Sequence, residues 1–295
     1  MTRSLRSLLK PLLGLSTALV LLLGVEGLLW LLGIPSGGLY AGDLKSVWWL
    51  RPDLDTTQRL VEEDLTFSIQ TNGLGLRGPL PPAEGPWTLA LGCSTTFGWG
   101  VEAEEAWPAV LSALTGQAVV NGGTPGWSTH QAVLGAQRWL DHGPDRVVLG
   151  YLVRDAQRAM ISDADAAPTP WLLRTHIGQL LVARLKPATT SLPRAPASLP
   201  TVRVSLEAYR ANLSRLVEMS GDAEVIVLAF PHQEARLDPW ADALSELSLP
   251  LLAPQLGTES FFASDPIHLN SAGHRRLAEQ LAADPRLRST PPLRR

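Results

Sequence analysis

The sequence predicts an α/β fold built on a parallel sheet. Two observations carry this expectation. Short runs that are predominantly apolar, without strict polar alternation, recur along the chain: "WTLALG" (87–92), "AVVNGG" (118–123), "RVVLGYLV" (146–153) and "AEVIVLAF" (223–230). Segments with helical spacing separate them. A strand without a polar face is buried on both sides, and strands joined through helices run parallel, so helices should cover both faces of the sheet.

The elements follow in order. "MTRSLRSLLK" carries Arg3, Arg6 and Lys10, and from Pro11 to Ile34 the only charged residue is Glu26. That run can cross a hydrocarbon core of about 30 Å. Secretory apolar regions are shorter, about 7–15 residues, and end at a small-residue cleavage site. No convincing A-x-A site follows here, and Cys93 lies too far downstream to be an N-terminal lipoprotein cysteine. Residues 11–34 therefore read as an uncleaved signal anchor. Residues 1–10 stay in the cytoplasm, and the C-terminal domain lies outside it, periplasmic or extracellular. The alternative is a cleaved signal peptide, which leaves the rest of the chain outside as well. Glu26 is costly inside a span, so it belongs near the outer interface or against a partner.

Residues 35–86 read as a linker and short N-terminal extension, opened by "IPSGG" and closed by "RGPLPPAEGP". Between them "LTFSIQTNGLGLRG" suggests a strand and a turn. The main domain occupies 87–295. "EEAWPAVLSALTG" has helical spacing and ends on Gly116, and "STHQAVLGAQRWLDHG" opens on a Ser or Thr cap. "LEAYRANLSRLVEMSG" and "DPWADALSEL" are further helices, "LPLLAP" is a short fifth strand, and "NSAGHRRLAEQLAAD" is a last helix capped by Asn270 or Ser271. Residues 156–204 break the rhythm with a helix-like "WLLRTHIGQLLVARL" and a Pro-, Ser- and Thr-containing stretch. An insertion after the third strand lies at the ligand edge of an open sheet, as a lid, a substrate wall or a decorative loop.

Composition narrows the function. The chain has 295 residues, 45% hydrophobic and 18% charged, with a net charge of −3. Nothing in that balance points to nucleic acid. The single cysteine, Cys93, forbids an intrachain disulfide, and no Cys/His spacing suggests a metal; no cofactor is expected.

Two segments carry chemistry. In "LALGCSTTFGWG" the first strand of the domain ends abruptly, placing Ser94 at the carboxyl edge of the sheet. In "SDPIHLNSAGH", Asp265 and His268 stand three residues apart before the last helix. A hydrolytic serine needs an imidazole to take its proton, and a carboxylate to orient that imidazole and stabilise its charged form.

The arrangement resembles the SGNH, or GDSL, hydrolase superfamily of esterases and lipases over residues 87–284. "LGCSTTFGWG" stands where that family has Gly-Asp-Ser, "VVNGGTPGWSTHQ" matches its second block, "YLVRDA" takes the place of Gly-x-Asn-Asp, and "DPIH" matches Asp-x-x-His. "TNGLGLRGP" is similar to a segment preceding the first block in many membrane-anchored members. The resemblance implies a flavodoxin-like three-layer α/β/α sandwich with a parallel five-stranded sheet. It implies Ser94, His268 and Asp265 as nucleophile, base and orienting acid. It implies an oxyanion hole from the N–H groups of Ser94 and Gly126, with Arg154 where the family has a donor asparagine. Losing such a donor costs about 10²–10³ in rate; a guanidinium offers five replacement donors. Cys93 replaces the family's aspartate. With Asp155, it is expected to support the loops. Trp99, Trp127 and His232 are candidate pocket residues, whereas His130, His142, His176 and His274 read as structural or surface residues.

Two classes of function fit. One is a membrane-anchored extracytoplasmic serine esterase acting on a lipid or an O-acylated glycan, or transferring the acyl group to an envelope sugar. The other is a catalytically impaired relative that binds glycan or lipid, or acts as a scaffold.

Overall fold

The structure, a computed structural model, describes residues 2–32, 38–43, 47–166, 175–185, 198–232 and 235–289. The Pro-, Ser- and Thr-containing part of the insertion at 186–197 lies outside them, as does most of "IPSGG".

The strands in chain order are β1 (Tyr40–Asp43), β2 (Val47–Leu50), β3 (Asp55–Leu60), β4 (Leu65–Gln70), β5 (Trp87–Gly92), β6 (Ala118–Gly123), β7 (Arg146–Gly150), β8 (Arg158–Ala159), β9 (Thr201–Val202), β10 (Glu224–Leu228), β11 (Leu251–Leu252), β12 (Phe261–Phe262) and β13 (Asp265–Leu269). Five of them form one parallel sheet in the order β11-β10-β7-β5-β6. This is the doubly wound order 2-1-3-4-5, whose direction of winding reverses at the first strand, β5.

Alternation along the strands sorts the core into two layers. Leu89, Leu91, Val147, Leu149, Val225 and Val227 face one side, against Trp127 and Trp139 and against Tyr209 and Leu213 of helix Leu206–Met219. Ala90, Val148, Ile226 and Leu228 face the other, against Trp107 and Leu111 of helix Trp107–Thr115 and Leu277 and Leu281 of helix Ser271–Ala283. Each fully buried Leu, Ile or Val contributes about 1.5–3 kcal/mol. The sheet is therefore the rigid platform under everything at its carboxyl edge. The α/β/α fold expected from the sequence is the fold observed. One expected helix divides: "STHQAVLGAQRWLDHG" forms Thr129–Gly135 and Gln137–Leu140, separated at Ala136.

The extension is more structured than a linker. β1–β2 and β3–β4 are antiparallel hairpins. Leu50, Phe67 and Ile69 bury themselves with Phe97 and Trp99 in a separate apolar cluster. The sequence signal was weak because β3 alternates exposed and half-buried residues and has no apolar face of its own.

Helix Thr2–Leu31 contains a 22-residue stretch, Lys10–Leu31, with mean hydropathy 2.1, long and apolar enough to cross a membrane. Glu26 has a definite role within it. Its carboxylate accepts the N–H groups of His176 (2.6 Å) and Ile177 (3.0 Å) and pairs with His176 Nδ1 at 2.9 Å. It thereby caps helix His176–Leu185 of the insertion, supplying acceptors to N–H groups that have no partner within that helix.

Candidate active site

Three glycines lie side by side across the sheet edge. Gly92 of β5 is in register with Gly123 of β6 and Gly150 of β7. A Cβ on Gly92 would overlap the Thr96 side chain, and one on Gly123 the Phe97 backbone. This row seats the single-turn helix Ser94–Phe97 directly on the edge, with Cys93 as its N-cap and Gly98, at φ +84°, ending it in the left-handed region. Ser94 heads that turn, so no carbonyl one turn earlier takes its N–H.

β12 and β13 pair antiparallel and carry the second half of the site. Asp265 and His268 both lie on the short strand β13, just before the last helix. Asn270 anchors its end. The Asn270 side chain accepts the Gly273 N–H at 2.9 Å and donates to the carbonyls of Glu259 and Phe261 at 3.0 and 2.9 Å. His268 Nε2 stands 2.7 Å from Ser94 Oγ, and His268 Nδ1 stands 2.5 Å from Asp265 Oδ2. Asp265 Oδ1 also accepts the N–H of Ile267 at 2.9 Å. Burial pushes the Asp265 carboxyl up, but the His268 hydrogen bond and charge and the backbone N–H groups outweigh it, lowering its pKa to about 2. Asp265 is thus ionised at neutral pH, and the imidazole proton belongs on Nδ1. Nε2 is left as the acceptor for the serine hydroxyl.

Gly126 lies in the loop after β6 with φ +89°, a conformation that favours glycine. Among the described residues no backbone carbonyl takes its N–H. Arg154 is half-buried beside these groups. Its Nη1 donates to Gln157 Oε1 at 2.8 Å, and its Nε is buried without a partner among the described residues. Burial and then Arg203 hold its pKa below the usual arginine range, against the pull of Cys93, Tyr40 and Asp265. Asp155 is buried in the loop that follows β7. Its Oδ1 accepts both the N–H (2.9 Å) and hydroxyl (2.5 Å) of Thr129, joining the third-strand loop to the start of helix Thr129–Gly135. Burial raises its carboxyl to about 7, against the Thr129 hydrogen bonds.

This geometry stands beside a family match. The GDSL-like lipase/acylhydrolase family profile matches residues 90–276, well over half the chain and every element just described at the sheet edge. The chain belongs to this family. Its reaction class is accordingly the hydrolysis of acyl esters. Solved structures of similar fold include a lipolytic protein of the G-D-S-L family from Desulfitobacterium hafniense (16% identity, 67% of this chain and 98% of that one, TM-score 0.46). Others are the esterase EstA from a Pseudoalteromonas species (12%, 67% and 94%, TM-score 0.44) and a carbohydrate esterase family 3 protein from Talaromyces cellulolyticus (11%, 67% and 95%, TM-score 0.44). No curated protein sequence matches the chain.

Other candidate residues stand elsewhere. Trp127 is fully buried, donating to Trp48 O at 2.6 Å and packing on Trp139 at 5.4 Å, so it is core rather than pocket wall. Trp99 packs edge-on against Phe67 at 5.3 Å beneath the extension, and is likewise core. His232 sits 4.0 Å from Asp238 and has no bond to Ser94, His268 or Asp265 among the described residues. Cys93 is buried with Leu152, Val153, Ala156 and Leu237, its Sγ 3.2 Å from Thr95 Oγ1. An aspartate there would place a carboxylate in an apolar cluster, which is the local reason a thiol fits.

One residue that holds the Ser94 turn was missed from the sequence. Arg77, in "TNGLGLRGP", is buried beneath the short helix. Its Nη1 donates to the carbonyls of Phe97 (2.8 Å) and Gly98 (2.7 Å), and its Nη2 to those of Ser68 (3.0 Å) and Val101 (2.6 Å). The signal was the motif itself, an arginine between glycines just before the first block.

Proposed function

We propose that this GDSL-family hydrolase is a membrane-anchored, extracytoplasmic serine esterase that uses Ser94, His268 and Asp265 as its catalytic triad. The reading rests above all on the continuous relay from Ser94 Oγ through His268 to Asp265, at 2.7 and 2.5 Å. Ser94 Oγ attacks the ester carbonyl carbon while its proton passes to His268 Nε2. The resulting oxyanion takes hydrogen bonds from the N–H groups of Ser94 and Gly126, with the Arg154 cation adding its field. Collapse expels the alcohol, which leaves with the proton from His268, and an acyl-Ser94 ester remains. Water then repeats the cycle: its proton goes to His268, the acid departs, and the proton returns to Ser94. Asp265 stays ionised throughout and stabilises the imidazolium.

Residues 11–34 form the anchor, the basic N-terminus stays inside, and residues 87–295 are the hydrolase domain with its insertion at 156–204. A lipid or membrane-bound acylated glycan suits this placement, because Glu26 of the apolar helix caps helix His176–Leu185 of the insertion. Met160, Ile161 and Leu181 of the same insertion are exposed apolar residues. The test is hydrolysis of short- and long-chain chromogenic esters by the full chain in detergent. Ser94→Ala should abolish turnover and Cys93→Ser should preserve most of it. Equal loss in both variants, with circular dichroism unchanged, moves the nucleophile to Cys93. No turnover of any ester by the wild type favours a binding role.

A further inference from the structure

Glycine is the residue least able to hold its own backbone in place, yet Gly126 must present its N–H at one angle. The conformation at its Cα is governed by the two peptide units on either side: φ rotates the Pro125–Gly126 unit, and ψ the Gly126–Trp127 unit. Each unit is held by one side-chain donor from outside the loop that follows β6. Trp48 Nε1 of β2 donates to Pro125 O at 3.1 Å. Arg203 Nη1, just after β9, donates to Gly126 O at 2.8 Å.

The first bond bears directly on the chemistry. In a planar trans peptide the carbonyl and the N–H point in opposite directions. Holding Pro125 O against the Trp48 indole therefore aims the Gly126 N–H the other way. The indole also covers Gly126: a Cβ there would stand 3.0 Å from Trp48 Cζ2. Trp48 is itself fixed, because its carbonyl accepts Trp127 Nε1 at 2.6 Å. Arg203 is fixed too. Its Nε bonds both Asp163 carboxylate oxygens at 2.9 and 3.1 Å, and its Nη2 bonds Gln131 Oε1 at 3.1 Å.

We infer that Trp48 and Arg203 are positioning residues for the oxyanion hole, the indole N–H setting the Pro125–Gly126 peptide and the guanidinium the peptide that follows. The inference rests on the reading of Gly126 N–H as an oxyanion donor. It gives the two additions to the α/β core a catalytic purpose. The N-terminal hairpin grips the loop through Trp48, and the base of the insertion grips it through Arg203.

The test uses the full chain in detergent. Trp48→Phe keeps an aromatic ring over Gly126 and removes only the donor. A misplacement of about 1 Å in a catalytic group costs up to about 10²-fold, so kcat should fall about 10- to 100-fold with KM within about twofold. A boronic acid that mimics the tetrahedral intermediate should lose affinity by a similar factor. A merely structural role for Trp48 lowers the fraction of folded enzyme but leaves the boronate affinity of that fraction unchanged. Arg203→Met should show the same split, and it decides the matter if Trp48→Phe does not fold. Wild-type kcat in the folded variant, with Ser94→Ala inactive, overturns this inference and leaves the esterase reading intact. A raised KM at unchanged kcat also overturns it. Full activity in Ser94→Ala overturns the esterase reading, and this inference with it.

Discussion

Replacing Arg77 with methionine should unseat the turn that carries Ser94, the proposed nucleophile. Methionine preserves most of the buried volume and removes every donor. Phe97 O keeps a second partner, Asn121 Nδ2 at 3.1 Å, but the carbonyls of Gly98, Ser68 and Val101 each lose a charged donor. Hydrogen bonds to charged groups are worth about 1.5–3 kcal/mol each. The variant no longer buries a guanidinium, a penalty already visible in an Arg77 pKa lowered to about 10 by burial, and that gain offsets part of the loss. The stacking of the guanidinium over the Phe97 ring, 4.3 Å from its centroid, is lost as well. Leaving a buried acceptor without its donor costs about 1–3 kcal/mol, so three such carbonyls, less the offset, should give a net loss of about 3–5 kcal/mol. For a domain of this size that lowers Tm by roughly 6–20 °C. Thermal unfolding followed by circular dichroism measures the stability. The rate at which a fluorophosphonate labels Ser94 at 20 °C reads the local geometry, and it should fall even in the folded fraction. Arg77→Lys should recover part of the stability, because one ammonium cannot span four carbonyls. A loss below about 1 kcal/mol in Arg77→Met, with normal labelling, would refute the reasoning.

Other predictions follow from the same contacts. Asp155 has its folded pKa raised to about 7 from about 3.9 in the unfolded chain. Its burial therefore costs nothing at low pH, costs progressively more as pH rises between those two values, and costs a constant amount above them. Asp155→Asn, whose amide oxygen can still accept from Thr129, should gain stability relative to wild type across that window; parallel urea midpoints from about pH 4 to 8 would show that Asp155 does not titrate as described. Arg154→Ala should lower kcat by about 10-fold or more with little change in KM if its charge serves the oxyanion, whereas a salt-sensitive rise in KM at constant kcat would assign Arg154 to an anionic part of the substrate. Glu26→Ala removes the cap of helix His176–Leu185 at about 1 kcal/mol, so limited proteolysis within the insertion should speed up about fivefold; an unchanged cleavage pattern would mean that the cap does not hold the insertion.

What the sequence determined by itself is the succession of strands and helices along the chain and a short set of candidate site residues. Strands apolar on both faces must be covered on both faces, and that requirement is local enough to read in runs such as "WTLALG" and "EVIVL". Ser94 stood out as a candidate because it follows the abrupt end of the first strand, and Asp265 and His268 because they stand together just before the last helix. Tertiary structure alone decided what holds those groups in place. Trp48 meets Pro125, Arg77 meets Gly98, Arg203 meets Gly126, and Glu26 meets His176 across long stretches of chain. None of these pairings can be read from periodicity: even where the residue stands out locally, as Glu26 does in its apolar run, the sequence around it does not say which distant carbonyl or N–H it serves. The tryptophans make the same point from the other side. Trp99 and Trp127 flank the glycine blocks in sequence, and folding turns both inward. A large apolar ring gains most from complete burial, and the N-terminal hairpins that complete that burial carry too little hydrophobic pattern to announce themselves.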